Sequence, residues 1–201
     1  MSDMVVGQWD RFELALEREV DAMPLDPYRD LTLDVTYTRP DGSTVDFWGF
    51  YDGGTSWCLR FMPDQRGTWH YAARFSDGAR AAEGTFTCVA SEIPGMLTVD
   101  ESNPVWFGFR GGGHLMVRSL HAGDAFFAGN FPVDDRSTFL DWAEAQGYNL
   151  LSVASHYLNR DAPGRGRGWE TPRLWPPDVA EYRKLERIMD ELAARHIMLF
   201  P

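Results

Sequence analysis

Two histidines each stand just past an apolar run: His121 after "HLMVRSL" at 114–120, and His156 after "YNLLSVAS" at 148–155. An imidazole at the end of a strand can hydrogen-bond a hydroxyl or orient a carboxylate. A capped structural histidine is the competing reading. Around His156 runs the polar stretch 155–177, "SHYLNRDAPGRGRGWETPRLWPP", which holds Asn159, Arg160, Arg165, Arg167, Trp169, Arg173 and Trp175. Amides and guanidinium groups bind hydroxyls and carboxylates in fixed geometry. Tryptophans offer apolar faces to the C–H side of a sugar ring. A Gly/Arg-rich surface loop that packs its tryptophans fits the same residues. A strand-to-helix connection usually runs about two to six residues, and longer ones are functional or disordered.

Other chemistries lack their residues. The chain has no G-x-S-x-G elbow and no P-loop, and "GRGRG" at 164–168 lacks the strand-then-helix setting for phosphate. No H-E-x-x-H or cysteine cluster calls for a metal, and no cofactor is implied. Asp124, Asp134 and Asp135 are better placed for helix capping than as an acid/base pair. Cys58 and Cys88 read as buried thiols, with a disulfide between neighbouring strands as the alternative.

The elements that must position the two histidines alternate in type. Strand 114–120 is followed by a helix over 134–146, "DDRSTFLDWAEAQ", with Phe139, Leu140 and Ala143 on one face and Gly147 as its stop. Strand 148–155 is followed by a helix over 178–195, with an Asp178/Glu181 capping box and a stripe of Val179, Tyr182, Leu185, Met189 and Leu192. "HIMLF" at 196–200 is a third strand. Strand-helix alternation implies parallel βαβ units, the start of a doubly wound sheet or a (β/α)₈ barrel. Ligands bind at the carboxyl ends of the strands in both.

Before residue 92 the period is two. Phe12, Leu14 and Leu16 stand at alternate positions, as do Trp69, Tyr71, Ala73 and Phe75, and Leu31, Leu33, Val35 and Tyr37 alternate with Thr32, Asp34, Thr36 and Thr38. "RPDGS" at 39–43 and "SDG" at 76–78 are turns. About seven short strands read as an immunoglobulin-like antiparallel β-sandwich. The expected division is a sandwich over 1–92, a linker and small hairpin over 93–113 (Met96–Val99 with Val105–Phe109), and a parallel α/β region over 114–201. "YDGGTSW" at 51–57 reads as a flexible Gly-rich connection beside aromatics, with a ligand-contacting loop as the alternative.

The net charge of −11 disfavours nucleic acid and an anionic membrane surface, and no apolar run reaches the length of a membrane span. A neutral substrate is compatible with that charge. No basic-then-apolar leader is visible, so a cytoplasmic location is expected.

The succession "FELAL", "YTRPDGS", "GFYDGGTSWCLRFMPDQRGTWHYAARF", "GMLTVDESNPVWF" and "FLDWAEAQGYNLLSVASHYLN" resembles bacterial apiosidase-like glycoside hydrolases. In that family a β-sandwich of unassigned function precedes a TIM barrel. The resemblance implies glycosidic-bond hydrolysis on an oligosaccharide or polysaccharide substrate. In related barrels the two carboxylates sit typically on about the fourth and seventh strands. The resemblance therefore implies that this chain, truncated after the third strand, lacks its catalytic pair and is inactive by itself. The expected sugar-contacting residues are His121, His156, Asn159, Arg160, Trp169 and Trp175. The alternatives are a non-catalytic sandwich module that binds carbohydrate or a partner, and a sandwich that only braces the barrel. An open strand edge invites self-association.

Overall fold

The computed structural model describes residues 4–18, 26–122, 126, 133–153 and 179–200, apart from the side chains at 133, 134 and 181. The chain divides into two compact units, Met1–Leu115 and Met116–Pro201.

The first unit is built from strands. Eight of them, β1 (Val5–Gly7), β2 (Phe12–Glu17), β3 (Leu33–Thr38), β4 (Thr44–Trp48), β5 (Phe50–Gly53), β6 (Ser56–Phe61), β7 (Gly67–Phe75) and β8 (Arg80–Val89), form two sheets. The larger runs β1-β8-β7-β3-β4 and the smaller β2-β6-β5. All pairings are antiparallel except β1 on β8, which is parallel. One core lies between the sheets, as in a β-sandwich. Phe12, Trp57 and Leu59 enter it from the smaller sheet, and Leu33, Val35, Tyr37, Trp69 and Phe86 from the larger. Period-two alternation explains this: Leu33, Val35 and Tyr37 are buried while Asp34 and Thr36 are exposed.

Both sequence-predicted turns form. Asp41 accepts hydrogen bonds from the Ser43 amide (2.8 Å) and hydroxyl (2.7 Å), beside Gly42 at φ +86°. Gly78 takes φ +90° after Asp77. Residues 51–57 differ from the expectation of a loop. Tyr51 and Gly53 belong to β5, Ser56 opens β6, and only Gly54 and Thr55 connect them. The reason is Trp57, which is 1% exposed and holds the segment to the core, with Tyr51 packed on it at 5.3 Å between ring centroids. Cys58 and Cys88 are buried thiols that form no disulfide, one in each sheet. Burial pushes the Cys88 thiol up. The core leaves the Tyr37 hydroxyl and Trp57 Nε1 without hydrogen-bond partners.

A small antiparallel sheet completes this unit: β9 (Leu97–Val99), β10 (Phe107–Phe109) and β11 (His114–Leu115), in the order β11-β10-β9. The expected hairpin thus gains a third strand. Residues 114–120 are not one strand but two pieces, because β11 pairs with β10 while β12 (Ser119–His121) belongs to the second unit's sheet. The Asn149 side chain accepts from the Arg118 amide (2.8 Å) and donates to the Met116 carbonyl (2.8 Å).

The second unit has β12, α1 (Val133–Ala145), β13 (Leu150–Ser152), α2 (Val179–Ala193) and β14 (Met198–Phe200), with the strands parallel in the order β12-β13-β14. Leu151, Val153, Ala122, Leu140, Ala143, Ile188 and Leu192 make its core. The α2 stripe differs from the expected one. Leu185, Ile188 and Leu192 face inward, whereas Tyr182 and Met189 are exposed. Positions 185, 188 and 192 follow the three-then-four spacing of one helical face, which 182 and 189 only flank. Both helices lie on one side of the sheet and are tied together. Arg136 donates to both carboxylate oxygens of Glu191 (2.9 and 2.8 Å), and Arg195 Nε donates to Asp141 (2.8 Å). The Arg136 guanidinium beside Glu191 holds its carboxyl below the usual carboxylate range.

The two helices end alike. After α1, Tyr148 N–H donates to the Ala143 carbonyl (3.0 Å) and Gly147 N–H to that of Glu144 (2.8 Å). After α2, Ile197 N–H donates to Leu192 (3.0 Å) and His196 N–H to Ala193 (3.0 Å). Both are Schellman caps, with Gly147 at φ +74° and His196 at φ +54° in the left-handed position. Glycine is at ease there and histidine is not. His196→Gly is expected to stabilise the unit by about 0.5–1 kcal/mol, and Gly147→Ala to destabilise it by about 1–2 kcal/mol. A Cβ at Gly147 would lie 2.8 Å from Arg118 Nη1, the end of a flexible side chain, so backbone strain carries most of that cost. Urea unfolding of the two variants checks both signs, and a loss of stability in His196→Gly would refute the strain argument.

Candidate functional site

The register of the parallel sheet sets one row at its carboxyl end: His121, Ser152 and Phe200. The preceding row is Leu120, Leu151 and Leu199, which packs toward the helices. Alternation therefore turns His121, Ser152 and Phe200 to the opposite side of the sheet. His121 is exposed, Ser152 half-buried and Phe200 63% exposed. With strands about 4.8 Å apart, the row offers an imidazole, a hydroxyl and an aromatic face across roughly 10 Å. Such a row can bind hydroxyls and stack on a ring. It has no carboxylate for acid/base work.

Sequence reasoning found His121 and missed Ser152 and Phe200. Their apolar neighbours marked the strands, but parallel register is not written in turn residues as a hairpin's is. His156, Asn159, Arg160, Trp169 and Trp175 lie outside the described residues, as do Asp124, Asp178, and Arg165, Arg167 and Arg173. No group of three His, Cys, Asp or Glu side chains able to hold a metal occurs among the described residues. No helix among them is long and apolar enough to cross a membrane.

A second polar cluster, overlooked in the sequence, sits on the small sheet. Asp100 is 7% exposed and its Oδ2 takes the Nδ1–H of His114. Its Oδ1 accepts from the Ser102 hydroxyl (2.7 Å), the Ser102 amide (2.7 Å) and the Asn103 amide (3.2 Å). The hydroxyl of Ser102 thus points at the carboxylate and not at the imidazole, so no Ser-His-Asp relay exists. The arrangement is a clamp between the β9–β10 turn and β11.

The Ser102 hydroxyl bond, opposed by burial and reinforced by His114 and the two amides, holds the Asp100 carboxyl down to about 2. A lowered carboxylate favours the folded state wherever the unfolded aspartate is ionised. Its contribution is full above the ordinary value of 3.8 and is lost as pH falls through about 2. The Ser102 amide resonance is expected to titrate with a midpoint near 2, and a midpoint near 4 would dissolve the clamp.

Residues 5–76 match the family described as a domain of unknown function, DUF5060. That is most of the sandwich and none of the parallel sheet. Among solved structures, a candidate glycoside hydrolase from Bacteroides vulgatus superposes with a TM-score of 0.74 at 21% identity, over 98% of this chain and 40% of that one. This chain therefore spans two fifths of that protein's length, and at that identity the likeness is one of fold. The filamin domain of Lin-41 overlaps 45% of this chain and 88% of its own at 17% identity, with a TM-score of 0.34. An alpha amylase candidate from Salmonella typhimurium overlaps 94% of this chain and 30% of its own at 12% identity, with a TM-score of 0.26. Neither of these two carries weight. No curated protein matches.

Proposed function

We propose that this chain belongs to a carbohydrate-active protein of the apiosidase-like glycoside hydrolase kind. In this reading the first unit is an immunoglobulin-like sandwich with its small sheet as a connection. Residues 116–201 are the first βαβαβ portion of a (β/α)₈ barrel, and the substrate is an oligosaccharide or polysaccharide. The observation that carries the reading is the continuous likeness to a candidate glycoside hydrolase across 98% of the chain, spanning both units. The strand order adds support, since sequential parallel strands with both helices on one side suit a barrel wall. His121, with His156, Asn159, Arg160, Trp169 and Trp175, is assigned to the sugar-contacting wall at the carboxyl ends of the strands.

Glycosidic hydrolysis uses two carboxylates flanking the bond. The described carboxyl-end row supplies none. In this reading the 201-residue chain is expected to bind neutral oligosaccharides without cleaving them. Tryptophan fluorescence against millimolar oligosaccharide, with a reducing-sugar assay on the same samples, tests both halves. Reducing sugar above the buffer control would refute the inactivity, and an absence of any fluorescence change would count against the carbohydrate reading.

In the parallel sheet, β12 and β14 each pair only with β13, so both of its edges lack a further strand among the described residues. Self-association through such an edge is expected. Sedimentation velocity over a concentration series checks it, and a constant monomeric coefficient would overturn it.

A further inference from the structure

The outer face of the larger sheet carries a depression of about 340 Å³. Thr36, Thr38, His70, Ala72, Glu83 and Thr85 line it, and the paired backbones at Tyr71 and Gly84 form its floor. Register explains the shape. Thr38, His70 and Thr85 stand in one cross-strand row, and Thr36, Ala72 and Glu83 in the next. The rows lie about 7 Å apart along the strands. Ala72, with only a methyl group at the centre of its row, leaves the space open.

The lining is unevenly committed. Thr36 donates to Asp46 (2.7 Å) and Glu83 pairs with Arg80. The hydroxyls of Thr38 and Thr85 and the imidazole of His70 have no hydrogen-bond partner among the described residues. Hydroxyls and a neutral imidazole both donate and accept. A ligand rich in hydroxyls needs that mixture, whereas an anion needs donors alone. The charge around the depression is nearly balanced, with Asp34, Asp46 and Glu83 against Arg74 and Arg80. On a chain of net charge −11, that balance leaves no local attraction for an anion. At the edge of the same face Trp48, opposite Asp34, is 65% exposed, and its ring is braced by Phe47 stacked at 4.8 Å. A braced, exposed indole is a platform for the C–H face of a sugar ring.

We propose that this face is a carbohydrate-binding site separate from the carboxyl-end row, taking a neutral glycan with His70, Thr38 and Thr85 on its hydroxyls and Trp48 under one ring. The proposal rests on the carbohydrate-active reading above and locates a second place where sugar binds.

The test is a titration of the ¹⁵N-labelled chain with three neutral hexasaccharides, of β-1,4-linked xylose, glucose and mannose. At least one is expected to give saturating shifts at the amides of Thr38, His70 and Thr85. His70→Ala and Trp48→Ala, both at exposed positions, are each expected to weaken binding about tenfold, the loss of roughly one good contact. Unchanged spectra elsewhere show that the variants fold. Saturating shifts confined to residues 120–122 and 151–153 would overturn this site while leaving the carbohydrate reading standing. Unaltered affinity in both variants would overturn the site as well. No saturating shift with any of the three sugars would overturn both.

Discussion

Two sheets meet through a layer of aromatic rings, and the first unit depends on that contact. Phe12 of the smaller sheet stacks on Phe86 of the larger at 4.2 Å, Phe61 on Tyr37 at 4.0 Å, and Trp57 meets the edge of Phe75 at 5.0 Å. Each large ring buries roughly 150–250 Å². The layer is tight enough that Tyr37 and Trp57 forgo a hydrogen bond there. A buried phenol or indole donor left unmatched costs about 1–3 kcal/mol, which burial of rings on this scale outweighs.

That layer also fixes what the outer faces display. A slip of one residue would bring every inward ring to the surface, so the register is strongly specified. With Tyr37, Trp69 and Phe86 locked inward, Thr38, His70 and Thr85 must stand outward in line. The depression on the larger sheet follows from a core contact on its other side. The second unit works the same way with leucines. Leu120, Leu151 and Leu199 pack under two helices clamped by Arg136 and Glu191, and this turns His121, Ser152 and Phe200 the other way.

Much of this was legible in the chain. The alternation around Leu33–Tyr37 and Trp69–Phe75, the turns at 39–43 and 76–78, and the two helices with Gly147 as a stop are local features. Each depends on residues within one turn or one strand. The misreadings had non-local causes. Residues 51–57 looked like a loop because of two glycines, but Trp57 is drawn into a core built by distant strands. Residues 114–120 looked like one strand, yet its first part pairs with β10 and its last part with β13, which belong to different sheets. His196 gave no sign of a left-handed cap, since the conformation is imposed by the chain's return from α2 into β14.

The sequence by itself determined most of the strands and both helices, which side of strands such as Leu33–Thr38 is apolar, and that His121 stands at a strand end. Those properties follow from side-chain period and turn chemistry, which act over a few residues. Only the tertiary structure decided that Ser152 and Phe200 share a row with His121, that Asp100 holds His114, and that Thr38, His70 and Thr85 flank one depression. Those groupings join residues far apart in the chain. They are set by sheet order and register, and these in turn are set by which buried faces pack best against one another.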